Sequence, residues 1–287
     1  MSRIIKLTVI IAVAMLAWNP VSATGQDCKT MNSLIKKERN LLKKKHLLTE
    51  ALKFCPDDAH IHYSYAYTAE RLRKYEKAQA HYLKATELDS NFTKAYFGLG
   101  DIYMVLGNAS AAIAAFEKGL TLAPRNKRAR AALELARIKH KSESGQSISS
   151  AEFIQVMQQS KTKETTQGAI DGPLLRMQIH FYSASSQLSQ DAKDQLMTVG
   201  KALEDPALNK QTFEISGHTD NTGTAEANLI LSRDRAEQVR KYLLETFAIE
   251  PENLIVAYYG DTRPAVPNTT VENRALNRRV EFKRLQQ

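Results

Sequence analysis

Asp220 and Arg235 are the two side chains of this sequence best suited to hold a small charged ligand. Asp220 lies in a loop after an apolar segment, and Arg235 flanks the apolar face of a predicted helix. A charge at such a position is costly unless it has a partner or a ligand. A guanidinium can bind a carboxylate in a bidentate manner, and a carboxylate nearby can take an ammonium. The alternative is a structural salt bridge between Asp220 and Arg235 that braces the loop.

Other reactive side chains give weaker signals. His218 lies beside Asp220, but no serine or cysteine nucleophile with a general base accompanies it, so packing is its expected role. His60, His62 and His81 suggest a metal ion, but no carboxylate or cysteine completes a ligand set at a recognisable spacing. The sequence therefore predicts a protein that is not an enzyme and that needs no metal or other cofactor.

The C-terminal half must position Asp220 and Arg235, and its pattern alternates between strands and helices. Strands are predicted over 177–181, 213–216, 254–259 and 279–285, and helices over 189–203 and 228–247. One face of the second helix is formed by Ser232, Ala236, Val239, Leu243 and Phe247. These segments predict an α/β sandwich with helices packed on one sheet.

A series of short motifs is distributed through the same half. They are Gly217-His218-Thr219-Asp220-Asn221-Thr222-Gly223, Asn228, Leu231-Ser232, Arg235-Ala236, Gly260, Pro264 and Arg274-Ala275-Leu276-Asn277-Arg278-Arg279-Val280. Together they resemble the OmpA-like peptidoglycan-binding domain, over residues 173–287. Two positions depart from the family pattern, because Asn273 replaces a glycine and Tyr182 stands where many relatives carry an acidic residue.

The resemblance implies both a ligand and a site. The ligand is peptidoglycan, bound non-covalently through the diaminopimelate of its stem peptide, whose free end carries an amine and a carboxylate on one carbon. Asp220 and Arg235 match the family's ligand-binding pair. The residues expected to shape the pocket are Thr219, Asn221, Asn228 and Leu231, with Arg274 and Arg278 as supports.

The N-terminal half repeats with a period of 34 residues, since Pro56, Ser90 and Pro124 are equally spaced. The segment 93–126 resembles a tetratricopeptide (TPR) repeat, and about 59–92 forms a less regular copy. By that resemblance the first helix of each pair lines a groove for a protein ligand, formed by Tyr63, Tyr67, Phe97, Asp101 and Met104. The alternative is that these side chains only cover a neighbouring helix.

Residues 1–23 have the pattern of a secretory signal peptide. Arg3 and Lys6 precede an apolar run, and Val21-Ser22-Ala23 provides a small-residue cleavage site. The apolar run is too short to span a bilayer, and no later segment comes closer, so no transmembrane segment is expected in the mature protein.

An exported chain with only two cysteines favours a disulfide between Cys28 and Cys55, and two unpaired thiols are the alternative. Lipidation of Cys28 is disfavoured, because Gln26 and Asp27 precede it where a lipoprotein signal has small and apolar residues.

Composition limits the classes of partner. The formal net charge of +9 is moderate for 287 residues, and it does not by itself argue for nucleic acid. The densest basic cluster consists of Lys36, Lys37, Arg39, Lys43, Lys44 and Lys45. Because no aromatic residues are interleaved with it, a solvated helical face is expected there.

The predicted organisation is α+β and multidomain. A signal peptide (1–23) precedes an all-α TPR domain (24–140), a linker (141–172) and the OmpA-like α/β sandwich (173–287). We therefore expect a periplasmic adaptor that is associated with the cell wall. The outer membrane is a candidate position for it, and its repeats are expected to recruit an unidentified envelope protein. The alternatives are a protein scaffold without wall binding and, less favoured, a cell-wall-modifying enzyme.

Overall fold

The computed structural model describes residues 25–159, 173–182 and 185–285. The predicted signal peptide, at residues 1–23, lies outside the described residues. The chain divides into two compact units, Met1–Ser90 and Asn91–Gln287. The second TPR segment, 93–126, lies in the same unit as the C-terminal sheet.

The described part of the first unit, residues 25–90, contains four helices: α1 (Gly25–Lys36), α2 (Leu41–Phe54), α3 (Ala59–Arg71) and α4 (Tyr75–Leu88). Asn40 and Asp58 cap α2 and α3, since their side chains accept hydrogen bonds from first-turn backbone amides. The interior is formed by Leu48, Ala51, Ile61, Ala66, Ala69, Ala78, Tyr82 and Ala85. Cys28 in α1 forms a disulfide with Cys55, which follows α2.

The second unit begins with a helical hairpin, α5 (Thr93–Val105) and α6 (Ala109–Leu122), followed by α7 (Lys127–Glu143). A Cβ atom on Gly100 would lie 2.6 Å from the ring of Phe116, and one on Gly119 would lie 2.5 Å from the ring of Phe97. Each helix therefore carries a glycine where the other places an aromatic ring. This arrangement brings the two helix backbones close together and confirms the predicted hairpin over 93–126.

The predicted linker contains a further helix, α8 (Ser150–Met157). Its first turn is closed by a capping box between Ser149 and Glu152. Phe153, Val156 and Met157 are fully buried in the core of the C-terminal sheet. Residues 141–159 therefore pack with the second unit, because α8 buries an apolar face. Residues 160–172 lie outside the described part of the chain.

A four-stranded mixed sheet completes the second unit, in the order β1-β4-β2-β3. Its elements are β1 (Leu174–Met177), α9 (Gln190–Glu204), β2 (Phe213–Gly217), α10 (Ala225–Thr246), β3 (Leu254–Tyr258), α11 (Val271–Asn277) and β4 (Val280–Arg284). Strand β4 runs antiparallel to β1 and β2, and β2 runs parallel to β3. Helices α9 and α10 contribute Leu196, Val199, Val239 and Leu243 to the core. The predicted fold class is confirmed.

Two element boundaries differ from the predicted ones, because strand pairing sets one and an N-cap residue sets the other. Strand β1 ends at Met177, because its partner β4 begins at Val280, the residue paired with Met177. The predicted strand over 177–181 is therefore displaced toward the N-terminus. Helix α10 begins before the predicted position, since Thr224 caps it by accepting a hydrogen bond from the amide of Ala227.

The disulfide leads to a prediction about stability. The bond closes a loop with a sequence separation of 27. Replacing both cysteines by serine should lower the free energy of unfolding of the first unit by about 3.5 kcal/mol in the chain-entropy model, because the unfolded chain regains its freedom. Hydrogen exchange resolved by segment measures the loss in α1–α4, and α9 and α10 of the second unit serve as internal control. Alkylation of both thiols in the unreduced, unfolded wild-type protein would contradict the bond.

Candidate ligand-binding site at the end of strand β2

The carboxyl end of β2 lies against α10 more closely than any side chain would allow. A Cβ atom on Gly217 would lie 2.0 Å from the backbone oxygen of Ser232. The Ser232 hydroxyl accepts a hydrogen bond of 3.0 Å from the amide of Gly260, and the Gly260 oxygen accepts one of 2.9 Å from the amide of Thr219. These contacts join the loop after β2 to the N-terminal half of α10. Asp220 and Arg235 extend from the two sides of this corner.

Asp220 is held in place by direct partners. Its Oδ2 atom lies 2.6 Å from Nη1 of Arg278, and its Oδ1 atom accepts a hydrogen bond of 2.9 Å from the amide of Thr222. The Asp220 side chain is 10% exposed, whereas that of Arg278 is 45% exposed. Burial would raise the pKa of Asp220, but the hydrogen bonds from Arg278 and Thr222 outweigh it and hold that pKa below its ordinary value.

Arg235 is positioned without a carboxylate partner. Its guanidinium carbon lies 4.9 Å from the centre of the Phe181 ring, and its Nε atom donates a hydrogen bond of 3.3 Å to the backbone oxygen of Ser185. Among the described residues, no carboxylate lies within ion-pair distance of Arg235, and its two terminal amino groups have no hydrogen-bond acceptor. Burial lowers the pKa of Arg235, as does the nearby charge of Arg278, and Asp220 opposes them. The guanidinium is therefore oriented but only partly satisfied.

The structure thus separates the two interpretations of the predicted pair. The structural salt bridge between Asp220 and Arg235 is not formed, since the carboxylate of Asp220 is paired with Arg278. Arg278, expected only as a support, is the direct partner. The charges of Arg278 and Asp220 shift the pKa of Arg235 in opposite directions, so the three charges form one cluster.

The other predicted pocket residues have distinct environments. The Asn228 side-chain amide donates to the backbone oxygen of Asp220 at 3.2 Å and so fixes the loop from α10. The buried Thr219 hydroxyl has no hydrogen-bond partner in the described part of the chain. Asn221 is exposed and Leu231 is half-buried. Arg274 points elsewhere, since its Nη1 atom donates to the backbone oxygen of Asn268 at 3.3 Å.

A buried charge network below the site was not anticipated from the sequence. The Oε1 atom of Glu281 lies 2.6 Å from Arg279 Nη2 and 3.1 Å from Arg176 Nε. Its Oε2 atom lies 3.5 Å from His218 Nε2. Neither ring nitrogen of His218 makes a hydrogen bond of normal geometry with a described residue. Burial would raise the pKa of Glu281, but His218 and the two arginines hold it far below its ordinary value. Burial lowers the pKa of His218 against the pull of Glu281.

The sequence contains one signal for this network, because Arg279 and Glu281 are two residues apart and so lie on one side of an extended segment. The position of Arg176 opposite Glu281 depends on the register of β1 with β4, which the sequence does not reveal. Asn277 was also missed as a structural residue. Its fully buried amide accepts from the amides of Ala265 and Val266 and donates to Val266, which closes the loop before α11.

The predicted protein-binding residues do not all face outward. In the first unit, the Tyr63 and Tyr67 rings are stacked with centres 6.5 Å apart, and Tyr67 is 49% exposed. In the second unit, Phe97 is buried against Gly119 and forms part of the core, unlike the exposed Tyr67. Met104 is packed on the same core.

The last predicted groove residue, Asp101, is engaged by Arg128, whose Nη2 atom lies 2.7 Å from its Oδ2 atom. Burial raises the pKa of Asp101 although Arg128 opposes it.

In the described ranges, no three histidine, cysteine, aspartate or glutamate side chains are grouped so that they could hold a metal ion. Within the same ranges, none of the helices has the length and apolar character needed to cross a membrane.

Comparison with known proteins identifies both parts of the chain. The sequence profile of the OmpA family matches residues 180–278. Profiles described as TPR repeat and tetratricopeptide repeat match residues 73–107 and 93–126. Both resemblances found in the sequence are therefore confirmed.

Individual relatives are similar over parts of their length. The chain is 36% identical over 124 residues to the peptidoglycan-associated lipoprotein of Pseudomonas aeruginosa, a match that covers 41% of this chain and 71% of the relative. It is 43% identical over 67 residues to outer membrane porin F of the same organism, covering 23% of this chain and 19% of the porin. The chain thus spans only about a fifth of the porin. Among solved structures, the cell wall anchor of the T6SS from Pseudomonas aeruginosa is 27% identical, with a TM-score of 0.35, over 40% of this chain and 81% of that one.

The Asp220–Arg278 contact leads to a prediction about pH. In Arg278→Ala, the pKa of Asp220 should rise, because burial of the carboxyl group remains while its strongest hydrogen bond is lost. A carboxyl group with a lowered folded pKa stabilises the fold above its unfolded pKa and loses this contribution as the pH falls through the folded pKa. The variant should therefore lose less stability on acidification than the wild type.

An NMR titration of the Asp220 carboxyl carbon measures this shift. Arg274→Ala is the matched control, because Arg274 is bonded to Asn268 and not to Asp220. An unchanged pKa in Arg278→Ala, or an equal rise in both variants, would contradict the assignment of Arg278 as the partner.

Proposed function

Because this chain belongs to the OmpA family, we propose that its C-terminal domain, residues 173–287, binds peptidoglycan non-covalently in the periplasm. The proposed contact is the free end of diaminopimelate in the stem peptide. The observation that carries this proposal is the arrangement of Arg235, a positioned guanidinium without a carboxylate partner among the described residues, next to the anchored carboxylate of Asp220.

Arg235 is suited to the carboxylate of the ligand. The Phe181 ring supports one face of the guanidinium, and Ser185 engages Nε, which leaves both terminal amino groups for a bidentate contact. Because the side chain is half-buried and already oriented, little conformational freedom is lost when the ligand binds. A bound carboxylate would also neutralise a charge that burial disfavours.

Asp220 is suited to the ammonium of the same ligand. Its low pKa keeps it ionised at neutral pH. The ammonium would share the carboxylate with Arg278, whose side chain is 45% exposed and can move aside into solvent. Asn228 and Thr222 hold the loop from its backbone, so the carboxylate stays in place during this exchange.

The TPR segments complete the proposal. The two helical hairpins, α3–α4 and α5–α6, would act as a protein-interaction module, so that the protein is a cell-envelope adaptor rather than an enzyme. In this proposal residues 1–23 direct export. The relatives named for the outer membrane and for peptidoglycan support a location in the envelope.

A second candidate function is a protein scaffold that has lost wall binding. The observation in its favour is that Asp220 is already neutralised by Arg278. The two functions differ in whether the site captures a zwitterion, and binding to purified sacculi distinguishes them.

Arg235→Ala should weaken co-sedimentation with sacculi roughly 30-fold or more, because truncating one member of a buried charge contact costs about 2 to 5 kcal/mol of binding. Asp220→Ala should have a similar effect, and the two losses should add incompletely because both groups hold one ligand. Added diaminopimelate should displace the wild-type protein.

Arg233→Ala is the matched control for this experiment, since Arg233 lies on the same helix but is exposed and contacts Asp234. It should bind sacculi as the wild type does. Normal binding by folded Arg235→Ala and Asp220→Ala would favour the scaffold. Release of soluble muropeptides during the incubation would instead show a wall-modifying enzyme.

The repeats can be tested at Tyr67, whose ring is 49% exposed on α3. A photo-crosslinking amino acid at position 67 should attach the protein to a specific envelope protein in living cells. The same group at Lys77, exposed on α4, is the control and should give no such product. Identical products from both positions, or none from position 67, would contradict a groove at Tyr67.

A further inference from the structure

The turn between α1 and α2 concentrates positive charge. Six basic side chains occur within residues 36–45, against one carboxylate, that of Glu38. Lys43 lies 3.4 Å from Glu38, and Lys44 donates to the backbone oxygen of Lys36. The other four, Lys36, Lys37, Arg39 and Lys45, form no ion pair with any described residue. We call this set, Lys36, Lys37, Arg39, Lys43, Lys44 and Lys45, the basic tip.

The helix dipole favours Lys36, in the last turn of α1, but it does not explain the lysines at the start of α2. The N-terminus of a helix carries partial positive charge, which favours acidic residues in the first turn. Helix α2 has no acidic residue there, and Lys43, Lys44 and Lys45 follow Asn40, its N-cap, in close succession. Positively charged side chains at the N-terminus of α2 have the same sign as the helix dipole there, so they oppose helix formation. The positive potential of the basic tip is therefore better explained by an external anionic partner.

Two exposed leucines adjoin the same turn. Leu34 lies near the end of α1 and is 37% exposed, and Leu42 lies in the first turn of α2 and is 69% exposed. A solvated basic face needs no apolar residues of this size. Leucines among lysines and arginines are the combination with which a peripheral protein inserts into the interface of an anionic bilayer.

We propose that the basic tip, with Leu34 and Leu42, binds the surface of a membrane that contains anionic phospholipids. Charge complementarity supplies the attraction, and the leucines distinguish a lipid interface from an acidic protein chain. The disulfide between Cys28 and Cys55 joins the other ends of α1 and α2, so the hairpin that presents the tip is formed before it meets the membrane. Binding is peripheral, and it is independent of the Asp220 site.

Each basic residue near an anionic surface should contribute about a five-fold gain in binding. The double variant Lys37→Gln/Arg39→Gln removes two exposed charges without an ion pair among the described residues, so it should bind such vesicles about 25-fold more weakly. Leu42→Ser should weaken binding several-fold without a change in the unfolding temperature, because the side chain is already exposed. Raising the ionic strength should weaken wild-type binding.

The experiment is co-sedimentation of the purified full chain with vesicles of phosphatidylethanolamine and phosphatidylglycerol, compared with vesicles of phosphatidylcholine. Lys74→Gln/Lys77→Gln is the matched control, because it removes the same charge from exposed positions around the start of α4. The control should bind like the wild type. All variants should bind sacculi equally, which separates this proposal from the function of the Asp220 site.

Three results would overturn the proposal. The first is equal binding to both kinds of vesicle, or to neither. The second is an equal loss in the basic-tip variant and in its control. The third combines two observations: Leu42→Ser binds anionic vesicles with unchanged affinity, and polyglutamate fully displaces the wild-type protein from those vesicles. That result would show an acidic protein partner instead.

Discussion

The close approach of α10 to the end of β2 is the constraint on which the proposed binding site depends. Gly217 permits it, since a Cβ atom there would meet the backbone of Ser232 at 2.0 Å. Asp220 follows Gly217 by three residues, and Arg235 follows Ser232 by three, so this one contact sets the separation of both charged groups. Binding sites require their groups to be held within about 0.5 Å of the productive geometry. A backbone contact between two regular elements achieves this better than two flexible loops could.

The strand β4 connects the site to the rest of the second unit. Arg278, just before β4, reaches Asp220, while Glu281 gathers Arg279, Arg176 and His218 in the interior. Buried charges are tolerated when they are paired, and removal of one partner leaves the others uncompensated. Arg176 also lies 3.4 Å from Glu143 at the end of α7. The charges beneath the site therefore continue to the helix that follows the second repeat, which lies in the same unit.

Sequence patterns predicted what depends on local periodicity and missed what depends on tertiary partners. The apolar face of α10 was predicted, since Ser232, Ala236, Val239 and Leu243 are buried. The role of Arg278 was not, because the residue that pairs with Asp220 is set by the register of β4 beside β2, which helical or strand periodicity does not reveal. Phe97 was expected in the groove because of the resemblance to the TPR repeat. Its burial depends on Gly119, in another helix.

The unequal environments of Asp220 and Arg235 bear on selectivity. An isolated anion could satisfy Arg235 but would gain nothing from Asp220, and an isolated amine would have to compete with Arg278 for the carboxylate. In the proposed function, a zwitterion with both groups on one carbon would make both contacts, and its second contact would benefit from the effective concentration created by the first. The pairing of Asp220 with Arg278 thus need not oppose binding. The pair keeps the Asp220 carboxylate ionised and in place. A ligand must then bind this carboxylate strongly enough to displace Arg278.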